Sequence, residues 1–190
     1  MTRKSLFHFA LVGLLWGIPY LLMKVAVEDF PPAAVVAGRT LIGASILIPI
    51  AIYRKKFGGA VLGFKYVAFY ALMEMIGPWI LITTAEQKIN SGLAGLLVST
   101  VPIFATIITS LRGDHSVWEF KRIFGIVVGF IGLILVVGIE SLSGNSDPLS
   151  IAMVIVASMG YAYAVIMVTS NLPLVDGIAI NGLAMAITTV

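Results

Sequence analysis

The segment LVGLLWGIPYLLMKVA at 11–26 returns as VIVASMGYAYAVIMVT at 154–169, an offset of 143 residues. Gly17 falls on Gly160, Tyr20 on Tyr163 and Val25 on Val168. Each copy sits in an apolar run about as long as the ~20 residues a helix needs to cross the hydrocarbon core of a bilayer. Extended to their polar borders, the runs cover 6–27 and 149–170. Between them lie four more, at 32–53, 66–85, 91–111 and 123–139, and a seventh begins near 177 and still runs at Val190. The unit that repeats therefore holds five crossings, an odd number, so its second copy starts from the opposite side of the membrane. The fold class is an all-α polytopic membrane protein built as a five-helix inverted repeat. Residues 1–145 form the first repeat (spans 1–5), and residues 146–190 start the second (span 6 and part of span 7). At the 143-residue offset, two complete repeats need a chain of about 290–300 residues, so the sequence reads as truncated early in its second unit.

Composition excludes the alternatives. Of 190 residues 59% are hydrophobic and 11% charged, against roughly 25% charged in a soluble domain. Mean hydropathy is +1.06. Arg3-Lys4 before an apolar run imitates a secretory signal, but the run exceeds the ~7–15 residues of a signal core and further spans follow, so it reads as an uncleaved first helix. Cysteine is absent, which removes disulfides, thiolate metal sites and cysteine nucleophiles. His8 and His115 are over a hundred residues apart with no paired ligand motif, so no metal and no cofactor is expected.

The net charge of +3 points to topology and not to nucleic acid. Short cytoplasmic loops retain Lys and Arg. With the N-terminus cytoplasmic, that side holds Arg3, Lys4, Arg54, Lys55, Lys56, Lys65, Arg112, Lys121 and Arg122. The other side holds Lys88 beside Glu28, Asp29, Glu86, Glu140 and Asp147. The expectation is a multi-pass protein of the cell membrane, its N-terminus cytoplasmic and its surroundings the lipid bilayer.

Four stretches carry a resemblance: GLLWGIPYLLMKVA at 13–26, PPAAVVAGRTLIGA at 31–44, AEQKINSGLAGLLVSTVP at 85–102 and LRGDHSVWEFKRIFGIVVGFIGLILVVG at 111–138. Together they resemble EamA-type transporters of the drug/metabolite transporter superfamily over roughly 6–170. Where that family often has Gly-Glu, this chain has Gly113-Asp114, which keeps the charge on a shorter side chain. The resemblance implies ten helices in two inverted repeats and export of small metabolites or toxic compounds.

Charges inside a span cost about 2.5–3.5 kcal/mol each on insertion scales, so they default to functional candidates. Glu74 lies near the centre of span 3, in YALMEMIGPW. It reads either as a working carboxylate or as one pinned to a neighbouring helix. Arg39 in span 2 lies within roughly 5–8 Å of the same depth, either as its ion-pair partner or as an anion-binding arginine. Lys24 is some 12 Å past the centre of span 1 and reads as a snorkelling, structural lysine.

Small residues and prolines supply the rest. Gly92, Gly95, Ser99, Pro102 and Thr106 share one face of span 4. That face lines a pathway, with a carbonyl freed by Pro102, or it packs closely against a neighbour. Span 1 presents Gly13, Gly17, Tyr20 and Lys24 with Trp16 alongside, and Pro78 opens span 3 four residues after Glu74. Trp16 and Trp79 are too central for an interfacial belt, so each lines a cavity or packs in lipid or core. Gly125, Gly129 and Gly132 of span 5 read as packing positions.

No P-loop is present, so ATP does not drive the chain directly, and no metalloprotease or serine-histidine arrangement sits in a span. The reading is a secondary transporter, not an enzyme, exporting amino-acid-like or toxic amphipathic metabolites by alternating access. Trp16, Tyr20, Arg39, Glu74, Trp79, Ser99, Pro102, Gly160 and Tyr163 are its candidate pathway residues. Glu74 changes its exposure to water between inward and outward states, which suits proton antiport. The alternative is an intramembrane enzyme that uses Glu74 as acid or base on a lipidic substrate.

Overall fold

A computed structural model describes residues 3–137 and 147–189, a few side chains excepted. The boundary expected between repeats, at 145–146, lies outside the described residues, as does Glu140. Among the described residues ten α-helices run in order: α1 Arg3–Asp29, α2 Pro32–Tyr53, α3 Phe57–Leu62, α4 Phe64–Tyr70, α5 Gly77–Ala85, α6 Ser91–Val98, α7 Val101–Leu111, α8 Phe120–Val137, α9 Pro148–Asn171 and α10 Gly177–Thr189. No strand occurs among the described residues. Four helical stretches there are long and apolar enough to cross a membrane: Pro32–Tyr53, Phe64–Ala85, Ser91–Leu111 and Pro148–Asn171. The protein is an all-helical, polytopic membrane protein.

Local chemistry sets the helix ends. Pro31 and Pro32 open α2, because the first turn of a helix needs no N–H from proline. The Asn90 side chain accepts from the Leu93 N–H at 2.7 Å and starts α6. Asp147 does the same for α9, accepting from the N–H and hydroxyl of Ser150 at 3.0 and 2.8 Å. Those two bonds hold the half-buried Asp147 carboxyl below the usual carboxylate range. Asp176 caps α10 through the N–H of Ile178 at 2.9 Å. Gly113 turns at φ +96°, a conformation glycine adopts without strain, and leads into a 3₁₀ turn at His115–Trp118.

The third span is one helix with a defect. Between α4 and α5, Ala71–Ile76 winds as π-helix. Pro78 explains it: proline has no N–H for the carbonyl of Glu74, and its ring would collide with that carbonyl in a regular α-helix. The Gly77 N–H reaches back to the Leu72 carbonyl instead, so the wider turn absorbs the mismatch. Span 4 breaks comparably at Ser99 and Thr100, just before Pro102.

Small residues draw the helices together. Ala51, Ala71, Ala164, Ala179 and Ala184 are fully buried where α2, the third span, α9 and α10 meet. α2 crosses α10 at two glycines: Gly43 meets the Met185 side chain, and Gly182 meets Leu47 and Ile48. The Thr189 hydroxyl donates to the Thr40 hydroxyl across that crossing at 2.9 Å. A second core joins α1, α5, α6 and α9 around Met23, Ile82, Leu93, Leu96 and Val154. Large apolar side chains point outward, among them Leu21, Leu22, Ile42 and Leu135, as a lipid-facing surface requires. Among the described residues, nothing lies within 4 Å of a Cβ placed on Gly125, Gly129 or Gly132. Phe130 and Ile134 of α8 dock on the second core while the glycines face away from it.

Gly160 is where α9 rests on the π-helical turn: a Cβ there would lie 2.8 Å from the Met73 carbonyl oxygen and 3.3 Å from Pro78 Cγ. Backbone cannot move aside cheaply. Gly160→Ala should therefore cost about 1–3 kcal/mol of overpacking, more than the ~1 kcal/mol alanine gains over glycine in a helix. Gly95→Ala, with nothing within 4 Å, should be neutral or stabilising. Thermal unfolding of both variants in one detergent checks the contrast.

Candidate functional site

The π-helical turn turns the Glu74 side chain into the bundle. Its Oε2 is buried and has no hydrogen-bond partner among the described residues. A buried, unsatisfied acceptor costs about 1–3 kcal/mol, more if charged, so the position is expensive for stability alone. Around it stand tyrosines from three helices. Tyr20 of α1, Tyr70 of α4 and Tyr161 of α9 are all within electrostatic reach of Glu74. Tyr70 is also tied to α10, donating to Asn181 Oδ1 at 3.2 Å.

Arg39 does not pair with Glu74. Its guanidinium lies over the Trp79 ring, 4.2 Å from the centroid, and its Nη1 contacts the Met23 sulfur at 2.8 Å. A guanidinium is weakly hydrated and planar, so an aromatic face accepts it where little water is left. The acidic neighbour within its electrostatic reach is Glu86, and Tyr20 and Tyr161 face it too. Among the described residues, the ion pair within 4.0 Å is Lys88–Asp147, at 3.6 Å. That pair brings together two segments that the charge count assigns to one side of the membrane. Lys24 reaches the same end of the bundle, where its ammonium donates to the carbonyls of Glu86 and Ile89.

Tyr20, Arg39, Glu74 and Trp79 thus converge, from α1, α2 and the third span. Ser99 spends its hydroxyl on the Leu96 carbonyl of its own helix at 2.6 Å, and Pro102 is exposed at the start of α7. Ser158 of α9 touches the same break through the Leu97 carbonyl at 3.3 Å. Gly160 meets backbone, as described above. Tyr163 stands edge-on to Phe69 with centroids 5.9 Å apart, under the Arg112 guanidinium at 5.5 Å, away from the cluster. The side chain of Trp16 lies outside the described residues, as do the surroundings of Gly13 and Gly17.

Two residues of the cluster escape the sequence reading. Tyr161 and Tyr163 are two positions apart, about 200° around a helix, so only one can face Glu74. The 143-residue alignment selects Tyr163; the neighbouring buried positions Ala157, Ser158 and Ala164 mark the inner face of α9 and would have selected Tyr161. Glu86 reads as a loop residue because it follows the last apolar residue of its span, yet it is fully buried. No group of three or more His, Cys, Asp or Glu arranged for a metal occurs among the described residues.

The profile of the EamA-like transporter family matches residues 3–138. An uncharacterised transporter, YoaV of Bacillus subtilis, is 31% identical over 139 residues, 73% of this chain and 47% of the relative. Protein PagO of Salmonella typhimurium is 32% identical over 130 residues, 66% of this chain and 41% of its own length. An uncharacterised inner membrane transporter of Escherichia coli K12, YedA, is 26% identical over 151 residues, covering 79% and 48%. The chain spans about half the length of these curated relatives or less. No solved structure matches it.

The Arg39–Trp79 contact is open to test. Arg39→Lys keeps the charge but loses the flat stack, and should cost about 0.5–2 kcal/mol, the range of a cation–π contact as it becomes desolvated. Trp79→Phe should retain part of that energy and Trp79→Leu none, measured by thermal unfolding in a common detergent.

Proposed function

Since the chain belongs to the EamA-like transporter family, we propose that it forms part of a secondary transporter, not an enzyme, which exports small metabolites by alternating access. The observation that carries this is the cluster of Tyr20, Arg39, Glu74, Trp79 and Tyr161, drawn from four spans around a buried carboxylate oxygen with no partner among the described residues. Charged and aromatic groups within one such cluster suit amino-acid-like or amphipathic compounds, which bring polar ends and an apolar body. The protein sits in the cell membrane with its N-terminus cytoplasmic, as the Lys and Arg distribution favours. ATP is not its direct energy source.

The architecture we propose is the inverted repeat, 1–145 followed by 146–190. A two-fold axis lying in the membrane plane brings each residue near it against its own repeat mate. Gly43 meets Met185, 142 residues away, beside the 143-residue offset of the sequence repeat. The antiparallel crossing of α2 and α10 supports an axis at that point. Motion of one repeat against the other about the cluster then alternates its access to the two sides.

Glu74 is the coupling site in this reading. In each cycle it takes a proton from outside, substrate leaves outward, and the proton is released inside. A panel of labelled metabolites in proteoliposomes, with a pH gradient imposed and the membrane potential clamped, provides the test. Wild-type protein should accumulate a substrate against its gradient, and Glu74→Gln should lose that accumulation by roughly a hundredfold in rate, the scale of a missing proton-transfer group. Normal accumulation by Glu74→Gln would remove Glu74 from coupling.

A further inference from the structure

Glu86 closes the third span at the end of the bundle away from the start of α1. It is 0% exposed, and neither carboxylate oxygen has a hydrogen-bond partner among the described residues. The charged and titratable groups facing it are Lys24 and Tyr20 from α1 and Arg39 from α2. Both cations are near but spend their donors elsewhere. Lys24 bonds the carbonyls of Glu86 and Ile89, and Arg39 lies on Trp79 and Met23. On the adjoining turn Lys88 is engaged by Asp147 at the foot of α9. The carboxylate is left as a buried acceptor that its neighbours do not satisfy, and the smallest ligand that does so is a proton.

Its position also relates it to Glu74. Twelve residues of helix separate the two, roughly 18 Å of rise, too far for direct exchange. The Tyr20 side chain is within electrostatic reach of both. We propose that Glu86 is a second proton-binding carboxylate, which takes up and releases its proton at its own end of the bundle. The proposal rests on the proton-coupled reading above.

Burial pushes the Glu86 carboxyl from 4.5 up to about 7, against the pull of Lys24 and Arg39. Between those values the folded protein holds a proton that the unfolded chain has released. Stability should therefore fall as pH rises from 4.5 toward about 7. Glu86→Gln should flatten that slope.

The test needs no substrate: infrared titration of the protonated-carboxyl stretch in purified protein held in lipid nanodiscs. Wild type should lose a buried carboxyl band with a midpoint near 7, the value burial sets for Glu86. Glu86→Gln should lack that band and Glu74→Gln should keep it. Lys24→Gln, which leaves the carboxylate in place, should move the midpoint upward. A band unchanged in Glu86→Gln or a midpoint unmoved by Lys24→Gln each overturns the proposal. If instead Glu86 titrates as expected while Glu74→Gln transports normally, it is the Glu74 reading that fails and the proton site at Glu86 stands.

Discussion

A proline cannot donate a hydrogen bond, and at position 78 that fact shapes the middle of the molecule. The carbonyl four residues earlier belongs to Glu74, and the ladder relaxes into a π-helical turn, Ala71–Ile76, to bypass it. The turn places a carboxylate inside the bundle and leaves backbone facing α9. Gly160 is the residue that can approach that backbone, since any Cβ would lie 2.8 Å from the Met73 oxygen. The contact between the two sequence copies' neighbourhoods, and the placement of Tyr161 against the cluster, both follow from this one defect and the glycine that fits it.

The electrostatics of the cluster follow a common pattern in low dielectric. Each cation has found a partner that is not a carboxylate: an aromatic face for Arg39, two helix-end carbonyls for Lys24. Both carboxylates remain with buried oxygens that have no partner among the described residues. Such an arrangement is costly where a well-packed apolar core would do, since an unsatisfied buried acceptor costs about 1–3 kcal/mol. A group that exchanges protons or binds ligand gives a reason for keeping it.

Much of the fold is legible in the chain because a bilayer permits few choices. Every backbone group in hydrocarbon must be satisfied within its own helix, so apolar run length and helix length coincide. Pro32–Tyr53 and Ser91–Leu111 match the runs read from sequence, and Gly177 begins the last helix where its apolar run begins. Breaks were legible too, since the consequences of Pro78 and Pro102 are local. Facing was less so. The sequence repeat favours Tyr163 where the helix turns Tyr161 inward, and Glu86 looks solvated because nothing in one dimension shows Lys24 and Arg39 closing over it. Which partner a charge selects depends on contacts between distant segments, as Arg39 choosing Trp79 over Glu74 demonstrates.

The central claim is that the face of α9 carrying Tyr161, not the face carrying Tyr163, borders a water-accessible pathway at Glu74. The chain has no cysteine, so single cysteines can be placed without background. Tyr161→Cys and Tyr163→Cys, each purified in lipid nanodiscs and exposed to a charged, water-soluble thiol reagent, provide the comparison. The account predicts rapid modification at 161, slowed when Glu74→Gln is added, and little modification at 163. Rapid modification at 163 with 161 unreactive would contradict it.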